Sequence, residues 1–141
     1  MDSVEPSTNG VSAQNLHRLS ALLEDQSYAK YARETSLAFE AEIMEHPYLF
    51  SSMMPAIVAS ALGMRSVILV GDVTKVGDKR HRKPLGPLDT TIQVHVGKPG
   101  WLSKRNPIVR SIVEGRNKQP RVMICEAGKC TEETFDEETD A

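Results

Sequence analysis

Near residue 63 the spacing of apolar residues changes character, and this change constrains the fold more than any single motif. Before it, apolar positions recur three and four residues apart, the repeat that lines one face of a helix: Leu16, Leu19, Leu22 and Leu23, then Tyr28, Tyr31, Ala32, Thr35, Phe39 and Ile43. After it come β-branched runs: Val67, Ile68, Leu69 and Val70; Ile92, Val94 and Val96 alternating with Gln93 and His95; and Val122, Met123, Ile124 and Cys125. The chain has 141 residues, enough for one substantial core and too few for two large ones. The pattern therefore predicts an α+β protein with helices first and a small sheet second.

Local signals divide the first stretch into three helices. Ser12 is placed to cap a helix over 13–24, and Asp25, Gln26 and Ser27 make a tight connection to a second helix over 28–45. So short a connection predicts an antiparallel αα-hairpin. His46 and Pro47 stop it. In the third helix Phe50, Met53, Met54, Ile57, Val58, Ala61 and Leu62 cover more than half the circumference, which asks for burial on several sides. Ser51 or Ser52 would cap it, Pro55 is tolerated in the first turn, and Gly63 ends it. In the second stretch strands are predicted over 67–70, 90–96 and 122–125. A helix over 106–114 follows an Asn106 cap and Pro107. A helix between the second and third strands predicts a right-handed βαβ crossover with parallel pairing in a three-stranded sheet. Residues 71–89 carry Gly71, Gly77, Gly86, Pro84 and Pro87, and read as an irregular loop.

Charge is segregated along the chain. Residues 1–63 carry net −5, residues 64–130 net +9 and residues 131–141 net −6. The last block is predicted to be a disordered acidic tail, because Phe135 is its single large apolar residue. No run of eighteen apolar residues is present, and no charged-then-apolar leader opens the sequence. The expectation is a soluble cytoplasmic chain without a membrane span.

Candidate chemistry is sparse. Lys79, Arg80, His81, Arg82 and Lys83 could meet phosphate or act as an address. Asp72, Asp78 and Asp89 nearby, and the lack of aromatics across 71–100, favour a solvated loop and disfavour nucleic acid. Cys125 and Cys130 have four residues between them, with Gly128 able to turn the chain; a disulfide, half of a metal site and a redox pair all fit. A thioredoxin-type pair has two intervening residues at a helix N-terminus, whereas a strand precedes Cys125. His17, His46, His81 and His95 lack ligand spacing, so no metal or other cofactor is expected and structural thiols are favoured. Glu5 and Asn9 sit in a loop at a helix entrance, where cavity-lining residues occur, though turn and capping roles explain them equally. Glu34, Glu40, Glu42 and Glu45 read as a wetted helix face, and His17 as a helix-surface or packing residue in preference to a base. No phosphate loop, dinucleotide fingerprint or nucleophile elbow is present.

Glu5-Pro-Ser-Thr-Asn-Gly-Val-Ser-Ala-Gln-Asn-Leu-His-Arg-Leu and Leu23-Glu-Asp-Gln-Ser-Tyr-Ala-Lys-Tyr-Ala-Arg-Glu-Thr resemble the C-terminal region of the spermatogenesis-associated protein 20 family, whose bacterial relatives are described as thioredoxin-domain proteins. The resemblance continues through His46-Pro47, the Met53-Met54-Pro55 helix and Val67-Ile-Leu-Val-Gly-Asp. It resumes at Lys98-Pro-Gly-Trp-Leu and ends at the strand carrying Cys125 and Cys130. It implies a longer parent protein with a thioredoxin-like domain, then an (α/α) toroid similar to six-hairpin glycosidases and N-acylglucosamine 2-epimerases. Residues 1–63 would be the last helices of that toroid and residues 64–130 the small α/β appendage after it. The family's redox motif has no counterpart here, and the family's usual helix after the first strand is replaced by residues 71–89. The expected product is a non-catalytic C-terminal fragment with exposed apolar faces and a tendency to self-associate. Alternatives are a residual sugar-binding cavity around Glu5 and Asn9, or a Cys125 and Cys130 interaction or redox module.

Overall fold

The computed structural model describes residues 5–71, 86, 88–126 and 128–133. The chain divides into two compact units, Met1–Met64 and Arg65–Ala141, each described here by itself. Together they make a mixed α/β protein, with α-helices over Thr8–Leu23 (α1), Gln26–Leu37 (α2), Glu40–Glu45 (α3), Met54–Leu62 (α4), Trp101–Arg105 (α5) and Pro107–Glu114 (α6), and a 3₁₀ helix over Pro47–Met53.

In the helical unit α1 starts earlier than the Ser12 cap predicted, because Ser7 does the capping: its Oγ accepts the Gly10 amide hydrogen at 3.2 Å. Ser7 also meets Ser52 of the 3₁₀ helix, hydroxyl to hydroxyl at 3.0 Å. Gly10 is needed for that approach. A Cβ there would overlap the Ser52 Oγ and lie 2.8 Å from the Ser52 carbonyl carbon and oxygen. The buried face of α1 is Gly10, Ala13, His17 and Ser20, and the four leucines of the predicted stripe are only half-buried. Facing side chains are equally small: Ala32 and Ser36 on α2, Ala56 and Ala59 on α4. Small residues let helix axes approach closely, and this spacing, not leucine burial, sets the packing.

The predicted second helix is two helices. Thr35 Oγ1 and Ser36 Oγ bond back to the carbonyls of Tyr31 and Ala32, which loosens the last turn of α2. Phe39 then leaves helical geometry at φ −119 and ψ 16. The break swings Phe39 onto Phe50, ring centroids 6.1 Å apart, and drops Ile43 into a cluster with Phe50 and Met53. The predicted Ser51 or Ser52 cap of the third helix is also displaced. Both serines belong to the 3₁₀ helix, and α4 begins at Met54 with Pro55 in its first turn. Gly63 ends α4 at φ 80.

Among the described residues the sheet unit has four strands where three were predicted: Arg65–Val70 (β1), Asp89–Val94 (β2), Arg121–Glu126 (β3) and Lys129–Glu133 (β4), in the order β2-β1-β3-β4. β1 is central, with partners on both edges, and after Arg65 and Ser66 its Val67–Val70 run is apolar. Its pairing with β2 is parallel and with β3 antiparallel, so the second and third strands are not neighbours. The predicted parallel crossover between them is thereby corrected. The connection after β2 folds into two short helices, and the Gly97 amide hydrogen returns to the Val113 carbonyl at 2.9 Å. The chain therefore ends α6 beside the point where it left β2 and can only run back antiparallel. Val109, Ile112 and Val113 of α6 are buried, and Asn106 caps that helix as predicted, accepting from the Val109 amide at 3.0 Å. β2 stops at Val94, where His95 accepts a turn bond from Lys98.

β4 takes in 131–133, which the sequence assigned to a disordered tail; main-chain pairing with β3 tolerates its polar side chains. Residues 134–141 lie outside the described residues, as does most of the predicted loop over 71–89.

Candidate functional site

A groove of about 210 Å³ opens on the helical unit between α2, α3 and α4. Leu37, Ile43, Met44 and Ile57 form its walls, with Arg33, Glu40, Ser36 and Ser60 completing the lining. It exists because the helix breaks at Phe39: an unbroken helix would carry residues 40–44 away from α4. Small-molecule sites enclose about 300 Å³ or more and direct several polar groups at one point. Here the Ser36 hydroxyl is spent on the Ala32 carbonyl and the Ser60 hydroxyl on His17. The lining suits one or two apolar side chains of an apposed segment better than a substrate. Leu37 and Met44 lie at 55% and 80% exposure, so the apolar surface continues out of the groove.

His17 and Ser60 are within reach of nucleophile chemistry, with Nε2 at 2.9 Å from Oγ. His17 is buried, and that burial holds its pKa below the ordinary 6.5, helped by the nearby Arg33 charge and opposed by a hydrogen bond to the Ala56 backbone. A neutral imidazole beside a hydroxyl is one requirement of a Ser-His pair. The other is a set of donors for a developing oxyanion, and Ser60 sits inside α4, where main-chain amides are committed to the helix. The pair is a part-buried polar contact that joins α1 to α4.

Glu5 and Asn9 are exposed, Glu5 in a bend before α1 and Asn9 in its first turn. Neither lines the groove. Cys125 and Cys130 are brought together. They are register partners across β3 and β4, their Cα atoms 4.0 Å apart, and they form a disulfide. The favoured reading of structural thiols is thereby corrected: strand pairing sets the two sulfurs against each other, and the disulfide, one of the other open readings, is what forms. Among the described residues no group of three or more His, Cys, Asp or Glu could hold a metal ion. No helix of the described residues is long and apolar enough to cross a membrane. Lys79, Arg80, His81, Arg82 and Lys83 lie outside the described residues. Sequence reading did not find the groove, because its walls come from residues on both sides of a break that apolar periodicity runs straight through. The adjacent Thr35 and Ser36 were the available signal.

No protein-family model matches the chain, and no solved structure matches it. A similar curated protein from Caenorhabditis elegans, described as "Uncharacterized protein B0495.5", is 25% identical over 131 residues, which cover 92% of this chain and 18% of that protein. The chain thus spans less than a fifth of the length of the curated relative it matches.

Proposed function

We propose that this chain is a non-catalytic C-terminal portion of a longer protein of the spermatogenesis-associated protein 20 type. Its helices would supply the last part of an (α/α) toroid wall, and its sheet the appendage that follows. The observation that carries this reading is the groove between α2, α3 and α4: apolar walls, both hydroxyls already bonded, and a volume suited to side chains of an adjoining helix. The similarity to a stretch amounting to 18% of a much longer protein supports it from outside the structure. The parent's work, whether thiol redox or carbohydrate chemistry, follows from the resemblance and would be performed by groups elsewhere in that protein. A cytoplasmic location belongs to the same reading.

Two measurements test it. Full-length transcripts are expected to carry coding sequence upstream of Met1 that includes a Cys-x-x-Cys motif; an in-frame stop immediately upstream in every transcript overturns the proposal. The purified chain is expected to bind a hydrophobic dye and to sediment as a mixture of associated species. A compact monomer that leaves the dye dark counts against it.

A further inference from the structure

We infer that Cys125 and Cys130 form a reversible thiol–disulfide exchange site that fastens the outer strand β4 to the sheet, with a dithiol reductant as its reaction partner. β4 is the outermost strand on its side, joined to β3 through a turn in which Gly128 adopts φ 78. Its described side chains bury almost nothing: Lys129, Thr131 and Glu132 are exposed, and Cys130 is half-buried. Beyond the main-chain ladder, the other ties found are a 3.4 Å hydrogen bond from Thr131 to the Ile124 carbonyl and a 3.9 Å approach of Arg121 to Glu132. A strand paired on one side whose side chains bury little is among the first parts of a sheet to open locally. The disulfide tethers β4 against that opening.

The two sulfurs differ in access. Cys125 is 3% exposed within β3, whereas Cys130 stands at the sheet margin. An incoming thiolate is therefore directed to Cys130 Sγ. A bond forms between the reductant's sulfur and Cys130, the bond between the two cysteines breaks, and Cys125 leaves as a thiolate that takes up a proton. The reductant's second thiol, on losing its proton, attacks its own sulfur in the mixed disulfide and releases Cys130, which is protonated in turn. The chain gains two electrons and two protons, and the reductant ends as a disulfide. β4 is then held by its ladder alone, and its separation bares the outer main-chain edge of β3, a surface able to accept another strand.

The experiment uses the full chain without denaturant. Oxidised protein is incubated with dithiothreitol, thiols are counted by alkylation and mass, and amide exchange is followed strand by strand. The expected result is complete reduction under native conditions, with exchange across 129–133 accelerated by about tenfold or more while β1 to β3 keep their protection. Cys130→Ser, which spares the buried Cys125, should show the fast β4 exchange without reductant and no further change with it. The inference is overturned if the bond survives until denaturant is added or if the air-oxidised chain holds two free thiols. Equal β4 protection in oxidised, reduced and Cys130→Ser protein overturns it as well.

Discussion

His17 shows how one buried residue gives the helical unit a pH dependence. Unfolded, it titrates near 6.5; folded, burial and the Arg33 charge withhold the proton until lower pH. Just below neutrality the unfolded chain binds more protons than the folded one, so this contribution is complete above the unfolded value and is lost as pH falls through it. Urea midpoints should drop between about pH 7.5 and about pH 5.5. His17→Gln should flatten that slope; an unchanged slope in the variant would place the titration elsewhere. Gly10 makes the opposite kind of prediction to a usual helical glycine. Gly→Ala in an open helix gains up to about 1 kcal/mol. At Gly10 the added methyl meets the Ser52 backbone, which is not free to move aside. Gly10→Ala should therefore cost about 1–3 kcal/mol in equilibrium unfolding. A stabilised variant would mean that α1 and the 3₁₀ helix do not approach this closely.

Between elements, the register of the sheet is locked at one end by charge. Asp89, the first residue of β2, takes two 2.7 Å bonds from the Arg65 guanidinium on β1 and another from the Gly86 amide. Its side chain is 3% exposed, so the pair is largely shielded from water. Removing one partner of such a pair leaves the other poorly solvated. Asp89→Ala is expected to cost about 2–3 kcal/mol, read by denaturant unfolding. A loss under about 0.5 kcal/mol would show the pair to be merely superficial. The two short helices α5 and α6 carry an equal lesson. Their out-and-back path, closed by the Gly97 to Val113 hydrogen bond, decides that β3 runs antiparallel to β1. The continuous apolar run of β3 is compatible with either direction, so the predicted parallel crossover rested on the order of elements and not on the strand itself.

At the level of the whole molecule, the helical unit presents more large apolar residues to solvent than a closed helical bundle needs: Leu37, Met44, Tyr48 and Leu62 are all more than half exposed. Met44→Glu, at a position 80% exposed, should leave thermal stability nearly unchanged while reducing dye binding and self-association. Unaltered association would mean that this face is not the one that sticks. Element types were legible from the sequence, because periodicity and caps are local: helices before residue 63, strands after it, the Asn106 cap, and the Gly63 stop follow from neighbours along the chain. The groove, the buried small-residue face of α1 and the fourth strand were not legible, and the bond between Cys125 and Cys130 was legible only as one of several readings of the pair. Each depends on which surfaces meet. Leucines outrank glycine and alanine in any apolar stripe, yet close approach of the helices selected the smaller face. Sequence alone set the kinds of element; tertiary structure chose their faces, directions and partners, because periodicity and capping act between chain neighbours whereas strand pairing and packing join residues far apart in the chain.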